Sequence, residues 1–352
     1  MDLKRDYYED VQLRKDRTHK FWFVALIAAL IVTPFITPSY NLYLINLIAI
    51  HIIVTVGLNV LIGYTGQISL GHAGFFAIGA YTTVLSMIHF SLPFPLAILL
   101  AAIVAAGFGF LLGLPALRLE GPYLAIATLG FGMAVTQIIG RVSIFGGHMG
   151  LQVPDMDFGL FSLKPDIDNT EIYFVIIAFT VLLTLAARNI TRTRVGRAFI
   201  AIRDSDIAAS ALGVNLSFYK TLSFAFSACY AGIAGGLYAF ILGFINPNIF
   251  DLVLSILFLT MVVVGGPGSI LGSIMGGAVV TFLNVKLESV QNIPIIGDLL
   301  KTISAEWMSL SGLPNITFVL FGLILIFIVV FERMGLYGLW LRTKIYWRTW
   351  PF

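Results

Sequence analysis

Charge is what this 352-residue chain has least of. Asp, Glu, Lys and Arg together make up 11% of it, against roughly 25% in a soluble domain. The deficit runs the whole length, hydrophobic residues reach 59% and mean hydropathy is +0.95. The medium around such a chain is mostly lipid. A net charge of +3 gives no reason to expect nucleic acid. The one cysteine, Cys229, sits in an apolar run; it cannot close an intrachain disulfide and reads as a small buried hydrophobe. No Gly-Lys dipeptide occurs, so a GxxxxGK[ST] phosphate loop is excluded and any ATP hydrolysis belongs to another chain. The five histidines, at 19, 51, 72, 89 and 148, form no HExxH pair, so neither a metal nor another cofactor is expected. Carboxylates are missing from the interiors of the apolar runs, with Asp251 and Glu288 at edges. That argues against an ion-coupled secondary transporter, which places Asp, Glu or paired His within its spans. It also leaves an intramembrane enzyme without a catalytic set, and no repeated pore-lining ring suggests a channel.

What the chain does have is long apolar runs. Ten are of spanning length, near 21–38, 41–62, 72–90, 93–114, 121–140, 171–188, 218–245, 250–266, 268–285 and 314–331. Open strands cannot cross a bilayer, so the runs are predicted to be helices. The first, "FWFVALIAALIVTPFIT", is longer than a signal-peptide core and has no small-residue cleavage site after it, so it reads as a span.

Basic residues orient the spans. Six lie in the tail 1–20, six in 188–220, one at Arg118 and four beyond 331, which places seventeen on the cytoplasmic side. Arg141, Lys164, Lys286 and Lys301 make four outside. The expected fold is therefore all-α and polytopic, with about ten transmembrane helices and both termini cytoplasmic. The division is a tail 1–20, a membrane domain 21–331 and an interfacial tail 332–352, where Trp and Tyr mix with basic residues. The membrane domain carries a cytoplasmic loop 189–220 and outer loops 141–170 and 286–313. The last could form a short amphipathic helix.

Glycine is abundant in two places. "GYTGQISLGHAGFFAIGAYT" begins at Gly63 and includes Thr65, Gly66, Gln67, Ser69, Gly71, His72 and Gly74. "VGGPGSILGSIMGGAVV" includes Gly265, Gly266 and Gly268. Glycine in a membrane helix allows close packing or a break that lines a cavity, and both readings stand here. The polar early cluster suits a break, and Gly71, Gly74 and Gly79 suit packing. Paired interruptions in two halves of a chain suggest a pseudo-repeat and a transport path. His72 could bond a solute or a neighbouring helix. Tyr123 and Thr128 could line the path, and Arg118 with Glu120 reads as an interfacial pair.

Between the arginines of 189–220, Asp204, Ser205 and Asp206 can cap a helix start. Ala208, Ala209 and Ala211 favour helix, Gly213 fits its end and Asn215 the next start. This is either a knob that docks on a partner or an ordinary positive-inside loop.

Together "GYTGQISLGHAGFFAIGAYT", "LRLEGPYLAIATLGF", "GGHMGL", "GRAFIAIRDSDIAASALGVN" and "GGPGSILG" resemble the M-type permease of branched-chain amino acid ABC importers, in order over about residues 40–285. The resemblance implies a subunit of the prokaryotic cytoplasmic (inner) membrane that pairs with a second homologous permease. Two cytoplasmic ATPases would bind below, and an extracytoplasmic binding protein would deliver the amino acid. It implies that 200–215 is the coupling helix, with Arg203, Asp204, Asp206, Ala208, Ala209 and Gly213 facing the ATPases. The family's Ala-Ala-xxx-Gly signature falls on Ala208, Ala209 and Gly213, although the flanking residues are Ile207 and Ser210. It also implies alternating access about the glycine breaks. Permeases for urea and short amides are closely related, so they remain an alternative.

Overall fold

The computed structural model describes residues 17–119, 121–158, 162–163, 170–290 and 334–349, and singly 322, 323, 326, 330 and 332. The tail to residue 16, Glu120, Lys164, most of the 286–313 connection and nearly all of the run 314–331 lie outside the described residues.

The protein is an all-α, polytopic membrane protein. Its helices are α1 (Arg17–Ile36), α2 (Ser39–Asn59), α3 (His72–Phe90), α4 (Phe94–Ala116), α5 (Pro122–Arg141), α6 (Thr170–Arg192), α7 (Arg194–Asp204), α8 (Asp206–Ala211), α9 (Leu216–Leu242), α10 (Leu252–Gly265), α11 (Ile270–Val290) and α12 (Gly335–Thr349). Nine of them fall on nine of the predicted runs. Six segments are long and apolar enough by length and composition to cross a membrane: α2 with its extension to Tyr64, then α3, α4 to Pro115, α5, α6 and α9. α10 has 14 residues, or about 21 Å at 1.5 Å per residue, short of a hydrocarbon core of about 30 Å.

Burial sorts the bundle into a centre and a rim. The apolar windows of α2, α3 and α9 are 78%, 67% and 72% buried, while those of α4, α5 and α6 are 33–39% buried. The centre is therefore wrapped by helices whose outer faces are left for lipid or other chains. Its packing is aromatic: Phe76 meets Phe250, Phe258 and Tyr238 at centroid distances of 5.2–5.9 Å. Isolated hydroxyls tie neighbouring helices, since no water competes in the apolar interior. Tyr230 donates to the Leu183 carbonyl, and His51 shares a bond with Thr281.

Outside the bundle, the connection after α5 forms short pairings. Leu151–Gln152 pairs antiparallel with Phe244–Ile245 just after α9, and Met156–Asp157 with Ser162–Leu163.

Two segments differ from the sequence expectation. The predicted tail 1–20 is helical from Arg17. The predicted polar loop before the Ala-rich helix holds a helix of its own, α7. Thr193 caps it by accepting from the Val195 N–H, and its buried face is Gly196, Ala198, Phe199 and Ile202. Ser205, extended, then breaks the chain and caps α8.

Candidate functional site

The two glycine clusters, some 200 positions apart in the chain, touch each other. α2 ends in a single π-turn, Val60–Tyr64, a form concentrated at functional sites. Gly66, at φ +76°, takes the left-handed conformation that L side chains avoid. Its N–H bonds the Ile62 carbonyl, and that of Gln67 reaches Leu61. Residues 65–71 then run without helix until His72 opens α3. Against this end lies the break between α10 and α11. A Cβ at Gly63 would stand 3.0 Å from the Gly268 Cα, and one at Gly268 would stand 3.2 Å from the Gly63 carbonyl oxygen.

Asn59 rivets the contact. Completely buried, it donates to the Ser269 carbonyl at 2.8 Å and to Ser273 Oγ at 2.6 Å. Its side-chain oxygen accepts from the Gly268 N–H at 2.9 Å. Sequence reading missed Asn59; the available signal was an uncharged amide alone in an apolar helix, a residue type that marks interhelical bonding.

Arg203, the last basic residue of α7, joins this junction from the arginine-rich loop. Its Nη1 donates to the Gly63 carbonyl at 3.0 Å, and its other nitrogens hold Asp204 at 3.0–3.1 Å. Gly66 lies against its stem, 3.3 Å from Cγ by the Cβ measure. Asp206 pairs with Lys220 on α9. Thus two of the residues predicted for coupling, Arg203 and Asp206, stand beside the predicted hinge residues. A cavity of about 400 Å³ opens beside this contact, lined by Thr65, Gly66, Gln67, Arg203, Asp206 and Lys220 among others.

The remaining predicted residues divide. Ser69, His72 and Ser227 form a buried chain: His72 Nδ1 lies 2.9 Å from Ser69 Oγ and Nε2 2.7 Å from Ser227 Oγ. Both ring nitrogens are engaged within the protein, which is the arrangement of interhelical glue. Thr65 bonds the Val60 carbonyl, and Gln67 donates to Ser223 on α9. Thr128 accepts from the Leu70 N–H and donates to Ala125. Gly71 and Gly74 are packing contacts: their Cβ atoms would stand 2.8 Å from the Thr128 carbonyl carbon and 2.9 Å from the Gly132 Cα. Gly265 packs on Gly272 and Gly276, and Gly266 on Met334 and Tyr337, so neither joins the Arg203 junction. Tyr123 is 72% exposed on the rim. Of the α8 residues, Ala209 is buried, Ala208 is exposed and Gly213 closes the helix at φ +85° in open space. Among the described residues no His, Cys, Asp and Glu cluster could hold a metal.

Residues 40–330 match the family described as branched-chain amino acid transport system / permease component. The chain belongs to this family. It is 37% identical over 272 residues to the high-affinity branched-chain amino acid transport system permease protein LivM of Escherichia coli (strain K12), covering 71% of this chain and 64% of that protein. It is 28% identical over 243 residues to BraD of Pseudomonas aeruginosa, covering 64% and 78%, and 26% identical over 245 residues to LivH of Salmonella typhimurium, covering 65% and 79%. The chain thus spans slightly under two thirds of the length of its LivM relatives. No solved structure matches it.

Proposed function

We propose that this chain is the membrane-spanning permease subunit of an ABC importer for branched-chain amino acids in a prokaryotic cytoplasmic membrane. The observation that carries the reading is the family match across residues 40–330. In it the chain pairs with a second homologous permease and forms the translocation path with it. Two ATPase subunits dock below, an extracytoplasmic binding protein delivers the solute above, and both termini are cytoplasmic. The working unit is residues 21–331, with the two breaks as corresponding interruptions of two halves.

Coupling runs through α7 and α8. An ATPase that moves α8 moves Arg203, two residues before its cap, and Arg203 is hydrogen-bonded to the end of α2. Asn59 carries the displacement on to the α10–α11 break. The break residues change pitch more readily than a continuous helix, because their backbone bonds are already irregular. The apolar lining expected of the path suits a solute with an aliphatic side chain.

The test is reconstitution of the chain with its partner permease, ATPases and binding protein in proteoliposomes. ATP-driven uptake of labelled leucine, isoleucine or valine is expected, and none by this chain alone. Uphill uptake by the chain alone on a proton or sodium gradient overturns the reading, and urea or acetamide uptake in place of leucine overturns the substrate class.

A further inference from the structure

A groove of about 340 Å³ runs between α1, α2, α6 and α11. Nine of its eleven lining residues are apolar, Leu30, Ile48, Ile52 and Ile274 among them. Of the two threonines, Thr180 already gives its hydroxyl proton to the Ile176 carbonyl. Such a wall offers little to an aqueous solute. Val181, in the same lining, is 40% exposed, so the groove opens toward the medium around the spans, which is hydrocarbon.

The α6 side of the groove is a single stripe. Ile177, Thr180, Val181, Thr184 and Leu185 recur at the three- and four-residue steps that share one helix face. The same stepping continues back to Tyr173 and on to Arg188 and Arg192. At the Tyr173 end its hydroxyl donates to the Leu30 carbonyl at 2.8 Å, and Phe174 meets Phe35 at 6.5 Å. These contacts draw α1 and α6 together there. The other end leads to the arginines. From Ile177 to Arg188 is eleven residues, about 17 Å at 1.5 Å each. That is close to half of a hydrocarbon core of about 30 Å, so the groove is one leaflet deep.

The arginines are uncommitted. Arg188 is half-buried and Arg192 exposed, and among the described residues neither enters an ion pair. Asp204, Asp206 and Glu332 are held by Arg203, Lys220 and Arg342. Like charges four residues apart on a helix oppose each other. An anion between them relieves that opposition, and phosphate oxygens match the guanidinium fork. A zwitterionic headgroup would bring its own cation beside two others; a net-negative one would not. Basic sites between membrane helices are the usual seats of such headgroups.

We infer that this groove binds one anionic phospholipid, with an acyl chain along the α2–α6 wall and the phosphate between Arg188 and Arg192. Thr191, between the arginines in sequence, lies beside the Tyr64 hydroxyl that ends the π-turn, so the lipid sits next to the first break. Only the assignment of the arginine end to the cytoplasmic leaflet rests on the proposed function.

The test is equilibrium binding of radiolabelled dioleoyl phosphatidylglycerol to the assembled complex in dodecyl maltoside. A saturable component is expected, at least tenfold tighter than the binding of dioleoyl phosphatidylcholine and not displaced by excess inorganic phosphate. Arg188→Gln combined with Arg192→Gln weakens it at least tenfold. Val181→Trp, at the exposed lip of the groove, does the same by filling the acyl slot without touching the core. Arg197→Gln, exposed on α7, removes an equal charge nearby and leaves the binding unchanged. Equal binding of phosphatidylcholine, displacement by phosphate, or indifference to the double variant or to Val181→Trp overturns the inference. An equal loss in Arg197→Gln does so too, since it reduces the site to general surface charge. Binding to the isolated chain but not to the complex also overturns it, because the second permease then covers the groove. Loss of leucine uptake in the proteoliposome test with lipid binding intact overturns the transport reading alone.

Discussion

Replacing Asn59 with Leu tests whether the two breaks are fastened or merely adjacent. The side chains share a branched skeleton, so no cavity opens, although two methyl groups must fit where polar contacts of 2.6–2.9 Å now stand. The change removes three hydrogen bonds, to Gly268, Ser269 and Ser273. Ser273 keeps its bond to the Ser269 carbonyl at 3.2 Å, so the Gly268 N–H is the group left without a partner. Interhelical bonds in membrane proteins average about 0.6 kcal/mol, and buried bonds in general about 1 kcal/mol. Three of them give a loss of about 2–3 kcal/mol, which lowers the folded-to-unfolded ratio thirtyfold or more. The assay is SDS-titrated unfolding of the purified complex followed by far-ultraviolet circular dichroism, with ATP hydrolysis and leucine uptake measured on the folded fraction. Uptake is expected to fall more than hydrolysis, because α2 and the α10–α11 break are no longer joined. A stability loss under about 0.5 kcal/mol, with uptake unchanged, refutes the reasoning.

Arg203→Ala severs α7 from the α2 end, and leucine uptake should drop at least tenfold while co-purification of the ATPases persists; unchanged uptake rules out the link. Gly74→Ala places a methyl 2.9 Å from the Gly132 Cα and should lower folded yield, whereas Gly130→Ala on α5, with nothing within 4 Å, should not. Equal yields of the two would refute close packing there. Gly213→Ala meets no neighbour but must hold φ +85°, so a stability cost of about 1 kcal/mol, read by thermal unfolding, is expected without loss of membrane insertion.

The helices were largely legible because hydrocarbon demands a local property, an uninterrupted apolar run, and each of the nine runs carries it within its own 17–28 residues. The break at 65–71 was legible for the same reason, since Thr65, Gln67 and Ser69 are locally polar. α7 was not. Arg194, Arg197 and Arg203 dominate its composition, and the buried face of Phe199 and Ile202 emerges only once the segment is wound as a helix. Nor was the function of His72 legible, because its second partner, Ser227, is 155 positions away. Asn59 illustrates the limit best. Its partners are 209–214 positions distant, and nothing near it in the chain records them.

α9 gives the molecule a mast. Its 27 residues, about 40 Å at 1.5 Å each, contain no proline, and its backbone is clamped midway where Gly235 lies on Phe76 and Gly232 on Gly79. One foot stands on the cap of Asn215 beside α8, and the tip carries the small ribbon that grips Leu151 and Gln152. A stiff spar of that kind tilts rather than bends. Whatever nudges its foot is therefore felt at its tip as a swing of the opposite sense, and the ribbon is the natural place to fix a reporter that registers from one face of the membrane what has happened on the other.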